Sequence, residues 1–502
     1  MPALRCLCIL LLLTLLSACA PARATNPSPT PTGEAVVTAE PTATAQPPAD
    51  TPTPAPTPTP DLAGLPAPHY TLSVTLDYPA RSAAVVEQIV YANRSQDAIG
   101  ELLLAADAQL FPGAFELISL SASSGPAVTQ TTWDKTWLRA HLERPLQPGE
   151  TITLEAAFSL RLPARTADEA LRPMVFGWSE RQTNLVDWYL YLPPYQSGKG
   201  WLAHPAGYYG EHQVYEASDF NVNLQISGAP AALTVAAPAP EQVSGEWRAY
   251  ELKSARTFAL SLSPEYQSAS QTVGDVTVTS YFWAYHAAGG QATLETAARA
   301  IELYARLFGP YPHRSLAVVE ADFLDGMEYD GLFFLSNGFY NLYDGTPASY
   351  LVALAAHETA HQWWFSAVAN DQALEPWLDE ALCTYSEKLY LETYAPQAVD
   401  WWLQVRVLYY QPRGFVDDSI YNPHKEAQAY RAYRDAVYLN GALFLSDLRQ
   451  TAGDEAFFAF LGDYASRFRG RIAGAADFFA VFAEHSPADL SALKARYFAP
   501  PE

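Results

Sequence analysis

The sequence predicts two folded domains of different class: an all-β domain, sandwich- or saddle-like, over residues 69–270, then an α+β domain over 271–502. Three observations carry this. Tyr70, Leu72, Val74 and Leu76 alternate with polar neighbours, as do Phe220, Val222, Leu224 and Ile226. A period of two marks half-buried strands, and Gly, Pro and Ser clusters separate the runs. After about residue 271 the period lengthens, and Leu294, Ala298, Ile301, Ala305 and Phe308 fall on one helical face.

Before residue 69 the chain has no such pattern. Arg5 precedes an apolar run from Leu7 to Leu16, too short to span a bilayer but right for the core of a signal peptide over residues 1–18. Leu16-Ser17-Ala18-Cys19 resembles a bacterial lipobox, in which Cys19 becomes the acylated N-terminus. Ordinary cleavage after Ala18 or Ala20 is the rival, and Pro21 disfavours the second of these sites. Lipid chains on Cys19 would anchor the protein to the outer face of the membrane without spanning it. Residues 19–68 are rich in Pro, Thr and Ala, with a Thr-Pro alternation through Pro52, Pro54, Pro56, Pro58 and Pro60. Such a segment cannot bury a core and reads as an extended linker or stalk.

Composition narrows the function. A net charge of −24 argues against nucleic-acid binding and against electrostatic adhesion to anionic lipid. Beyond the signal segment only Cys19 and Cys383 remain, so an acylated Cys19 leaves no intrachain disulfide, and Cys383 reads as core packing. Nothing in the sequence speaks to oligomeric state.

In the second domain a strand around Val276–Phe282 leads to the first helix, and a strand over Leu316–Glu320 follows. Next comes His357-Glu358-Thr359-Ala360-His361, with Glu380 nineteen residues after His361. On a helix, positions four apart differ by about 40° in azimuth, so the two imidazoles point the same way and can grip one metal ion. Glu358 lies off that line, near enough to take a proton from an activated water. The flanking Leu351–Ala356 and Trp363-Trp364-Phe365 make this helix apolar nearly all round, hence buried. Two imidazoles and a carboxylate are costly there unless a cation pairs with them.

Ala369-Asn370-Asp371 reads as a helix stop and Glu375-Pro376 as a new start, with Trp377–Tyr394 helical. Two antiparallel helices on a short turn bring Glu380 back toward the histidines. His357, His361 and Glu380 then form a three-ligand set for one Zn²⁺ with a fourth position open. Asp379 and Glu375 are rival carboxylates. A metzincin arrangement is excluded, because it needs Gly and His where the chain has Trp364 and Ala367.

The run from His357 to Trp364, with Trp377-Leu-Asp-Glu-Ala381, resembles the aminopeptidase N-type family of zinc metallopeptidases, the gluzincins. Asp325-Gly-Met-Glu-Tyr329 stands where that family carries Gly-x-Met-Glu-Asn, and Val437-Tyr-Leu-Asn-Gly441 where it carries a catalytic tyrosine. Phe308-Gly-Pro-Tyr-Pro312 also resembles a family turn. The likeness spans roughly residues 270–450 and is weaker over the β-rich part, where Val186-Asp-Trp-Tyr-Leu190 and Tyr215–Ile226 carry it.

The resemblance implies a thermolysin-like catalytic domain and zinc-dependent removal of N-terminal residues from peptides. It implies that Glu328, at the rim of a cleft with Gly326 and Met327, binds the substrate's free ammonium group. It implies that Tyr438 stabilises the oxyanion, with Tyr433 and Tyr430 as nearby competitors. Glu358 is the general base. Tyr329, Ala381 and Phe365 depart from the pattern, standing where Asn, Gly and Gly are usual. With Glu502 about sixty residues after Tyr438, the likeness is to a short form without the family's large helical C-terminal domain. Two other readings share these residues: a zinc endopeptidase or other hydrolase, and a non-catalytic binding lipoprotein.

Overall fold

A computed structural model describes residues 62, 64–165, 175–421 and 430–500. The expected signal segment, Cys19 and nearly all of the Pro/Thr-rich stretch lie outside these residues. All of the described residues belong to one compact unit, Thr59–Glu502.

The first half is built on a seven-stranded sheet. His69–Asp77 runs parallel to Ser218–Ser227 and antiparallel to Ser82–Ala92, so both alternating runs seen in the sequence lie side by side near its middle. Register pairs Tyr70 with Phe220, Leu72 with Val222 and Val74 with Leu224, all of them buried. Ile226, at the strand end, is only half-buried. Smaller three- and four-stranded sheets complete this β-rich half.

A five-stranded sheet opens the second half. Its order is Tyr266–Val273, Val276–Trp283, Ser315–Ala321, Leu332–Ser336 and Gly326–Tyr329. The three inner strands are parallel and each edge strand is antiparallel to its neighbour. Sequence reading passes from Leu316–Glu320 directly to the helices and misses the last two strands. Leu332-Phe-Phe-Leu-Ser336 is buried at every position, so it shows no alternation to read. The first helix, Ala287–Phe308, buries Leu294, Ala298, Ile301 and Phe308.

The helix Tyr350–Ala360 is capped by Ser349, whose hydroxyl accepts from the Val352 amide, and Leu351 through Ala360 are all buried. Its chain reverses at Asn370-Asp371. The Asn370 side chain donates to the Glu375 carbonyl at 3.0 Å and Asp371 Oδ1 accepts from the Leu374 amide at 3.1 Å. Pro376 then precedes the helix Trp377–Tyr394, which carries Glu380 in its first turn. A buried cation from the first half steadies this reversal. Arg256 donates to the carbonyls of Phe365 (2.7 Å), Ser366 (2.9 Å) and Tyr215 (2.8 Å). Among the described residues, no helix is long and apolar enough to cross a membrane.

Candidate metal centre

His357 Nε2 lies 3.2 Å from His361 Nε2 and 3.2 Å from Glu380 Oε2, and His361 Nε2 lies 3.6 Å from that oxygen. Ligands about 2.0–2.1 Å from a tetrahedral zinc stand about 3.3–3.4 Å from one another, so these three atoms occupy one face of such a tetrahedron. The outer nitrogens are already committed. His357 Nδ1 is 3.1 Å from Glu387 Oε1, and His361 Nδ1 is 3.2 Å from the Trp364 carbonyl oxygen. Donation through Nδ1 leaves each Nε2 lone pair facing the shared point, as a metal ligand requires. The donor set therefore fits a zinc ion. The surrounding charge agrees: Glu358, Glu328, Asp379, Glu380 and Glu387 are all buried here, with Arg406 as the nearby fixed cation.

Glu387 escapes the sequence reading. It lies seven residues beyond Glu380, two turns along the same helical face, and that spacing is its one signal. Its carboxylate accepts from Arg406 Nη2 (2.8 Å) and Nε (3.1 Å) and from Trp402 Nε1 (2.9 Å). Both partners come from a π-helical turn, Trp402–Val407, whose spacing gives no periodic cue.

The rival carboxylates have other contacts. Glu375 Oε1 accepts from the Ala475 amide at the start of a C-terminal helix. Asp379 accepts from its neighbour's amide and from Gln372 Nε2 (2.9 Å). A second grouping of Glu328, His361 and Asp379, and a third of Glu211, Glu328 and Glu380, crowd the same centre.

Glu358 is buried, and its Oε2 has no hydrogen-bond partner among the described residues. Burial pushes its carboxyl up to about 8, with Glu328 and Glu380 adding to the shift against the pull of two imidazoles. The edge strand Gly326–Tyr329 passes directly over it. A Cβ on Gly326 would stand 2.1 Å from Glu358 Oε1, so any side chain there would have to push that carboxylate aside.

Glu328 lies in the wall of a cavity of about 680 Å³, buried, rather than on a rim. Gln372 Nε2 donates to its Oε1 at 3.2 Å, and Met327 lines the same cavity half-buried. Tyr438, half-buried, donates its hydroxyl to Glu380 Oε1 at 2.6 Å, with its ring stacked on His357. The neighbouring Tyr430 donates instead to Asp325, and the Tyr433 hydroxyl is buried against Gly210. Gly441 has a packing reason: a Cβ there would meet Ala381 Cβ at 2.5 Å, where the Tyr438 segment crosses the Glu380 helix.

Phe365, one of the departures noted in the sequence, has φ of 150°, which L-residues rarely adopt. Arg256 on its carbonyl holds that backbone in place, and its ring meets Tyr215 edge-on at 6.2 Å. Cys383 is buried, with Sγ 3.9 Å from the Trp364 carbonyl oxygen that backs His361.

Fold and donor set define the class: an α+β metallopeptidase-type domain with a His-His-Glu centre. Residues 292–497 match the Peptidase family M1 domain. It is 27% identical over 212 residues to Aminopeptidase M1-D of Oryza sativa subsp. japonica, a match covering 39% of this chain and 24% of that one. The matched part thus spans about a quarter of that relative's length. The M1 zinc metallopeptidase of Deinococcus radiodurans has a similar fold, with TM-score 0.62, 19% identity, and 87% and 94% of the two chains covered. A glutamate-to-alanine variant of it, bound to the substrate Tyr-Ser-Ala, aligns with TM-score 0.62, 20% identity, and 87% and 95% coverage.

Proposed function

We propose that the protein is a zinc-dependent aminopeptidase that removes N-terminal residues from peptides by amide hydrolysis. One observation carries the exopeptidase part: the buried Glu328 carboxylate stands in a cavity wall beside the His357, His361 and Glu380 donors. A carboxylate there is placed to pair with the substrate's terminal ammonium group, which would offset the cost of its burial. Placing that group at Glu328 brings the first peptide bond, and no later one, over the three donors.

His357, His361 and Glu380 would hold the ion. Zinc in such a site supplies Lewis acidity toward the scissile carbonyl and acidifies water. Glu358 takes the water's proton and passes it to the leaving amine. Tyr438 would exchange its bond to Glu380 for one to the oxyanion as charge develops. Gln372 keeps Glu328 turned toward the substrate. Tyr-Ser-Ala bound to the Deinococcus relative supports a peptide with a free amino end as the substrate class.

The test is a matched pair of peptides, free and N-acetylated, with Glu328→Gln alongside. Rapid cleavage of the free peptide alone supports the reading, and equal rates on both would sink it. The sequence of residues 1–68 supports export and anchoring through a lipidated Cys19, with the enzyme held extracytoplasmically on a stalk. Intact mass of the membrane-extracted protein tests this, since lipidation adds acyl mass that Cys19→Ser removes.

A further inference from the structure

Two segments far apart in sequence bear on the metal centre and are tied to each other. The first is the edge strand Gly326–Tyr329, which carries Glu328 and passes over Glu358. The second runs from an α-helical turn, Tyr430–Arg434, into a π-helical one, Asp435–Asn440, which carries Tyr438. Both reach the same donor. The Tyr438 hydroxyl lies 2.6 Å from Glu380 Oε1, and Glu328 and Glu380 offer carboxylate oxygens within 4.8 Å of each other. The tie is made by the Tyr430 hydroxyl, which donates to Asp325 Oδ2 at 3.0 Å across 105 residues of chain. Burial, and after it the negative charge of Asp325, push the Tyr430 hydroxyl pKa well above its ordinary value, so the tyrosine remains the donor.

Asp325 holds its place at a cost. Its φ is 71°, in the left-handed region that L-residues rarely adopt and that glycine enters freely. Strain of this kind beside a site points to work done by the side chain. Here the two carboxylate oxygens do what glycine cannot. Oδ2 accepts from Tyr430, and Oδ1 accepts at 3.2 Å from the amide of Gly326, the first residue of the edge strand. The Asp325 carbonyl also takes the Ser336 amide at 2.9 Å, which fixes the same turn to the inner strand. Movement of the Tyr430 segment is thereby passed to Gly326, whose backbone abuts the Glu358 carboxylate. We propose that Asp325 and Tyr430 are positioning residues for the hydrolysis, their hydrogen bond fixing the Tyr438 hydroxyl relative to Glu328 and Glu358. Oxyanion donor, ammonium anchor and base then act on one peptide bond. This rests on the aminopeptidase reading and adds to it the contact that keeps its groups in register.

The test is a mutant cycle on the zinc-loaded protein, with Tyr-Ser-Ala and its N-acetylated form as substrates. Tyr430→Phe and Asp325→Gly should each lower kcat by roughly 10–100-fold, the cost of reacting groups about 1 Å out of place. KM and zinc content should stay near the parent values. The double variant should be no slower than the slower single one, because both changes remove one bond. Asp325→Asn keeps an acceptor for the hydroxyl and should retain most of the rate. Asp325→Gly relieves the backbone and should melt near the parent temperature while remaining slow, a combination that a merely structural role would not give. Parent-like kcat in either single variant overturns the proposal, as do losses that multiply in the double variant or fall on KM alone. So does Asp325→Asn if it is as slow as Asp325→Gly. A parent that cleaves the acetylated peptide as fast as the free one fails the aminopeptidase reading, and the same cycle on that peptide still decides the tie. A parent that cleaves neither peptide overturns both.

Discussion

Gly326 and Glu358 are in direct apposition: the edge strand lies so close over the base that a side chain as small as a methyl group would overlap its carboxylate, 2.1 Å from Oε1. Gly326→Ala should therefore displace the Glu358 carboxylate while leaving the helix and the three donors intact. Displacing a reacting group by about 1 Å costs on the order of 100-fold in rate. The expected outcome is a loss of that size in kcat, with zinc content and the circular-dichroism spectrum of the parent. Full activity in the variant would mean that the Glu358 carboxylate keeps its working position beside an alanine.

Glu387 holds His357 from behind, and Arg406 and Trp402 hold Glu387. Removing a partner that orients a metal-bound histidine typically weakens metal affinity by about 10–100-fold. Glu387→Ala should show that loss in competition against a chromogenic chelator, and Arg406→Ala a smaller one in the same direction. Unchanged affinity in both would reduce the trio to core packing.

Tyr438→Phe keeps the ring on His357 and removes the hydroxyl now given to Glu380. Loss of one oxyanion donor costs about 10²–10³ in kcat. KM and zinc content should stay near the parent values, and steady-state kinetics with metal analysis check this. A change in KM alone would assign the hydroxyl to ground-state binding.

How much was legible in the sequence divides along physical lines. His357, His361 and Glu358 follow from helical periodicity, and Glu380 from a turn signal between two helices, so local geometry carries them. Arg406 sits in a π-helical turn that no 3.6-residue period detects. The strands Gly326–Tyr329 and Leu332–Ser336 are short, and the inner one is buried on both faces, which erases alternation. Glu211, Gln372 and Asp187 reach the cavity from turns and loops, where tertiary packing alone sets position. Phe365 was visible as a departure, but its left-handed backbone and the Arg256 contact that holds it were not.

Away from the centre, Glu87 is fully buried in the large sheet, with Oε2 accepting from the Leu190 amide and Oε1 without a hydrogen-bond partner among the described residues. Burial pushes its carboxyl well above 4.5. A carboxyl whose pKa is higher in the folded state holds its proton there, so stability falls as pH rises above the unfolded value. Glu87→Gln copies the protonated form. Its melting temperature should match the parent's near pH 4 and exceed it increasingly toward neutrality. A constant difference across that range would show that Glu87 is ionised in the fold.

The most direct measurement is anomalous diffraction at the zinc edge from crystals of the zinc-loaded protein. The expected result is one peak per chain, within bonding distance of His357 Nε2, His361 Nε2 and a Glu380 oxygen. A strongest peak among Glu328, His361 and Asp379 would contradict it, as would peptide cleavage by crystals with no peak at all.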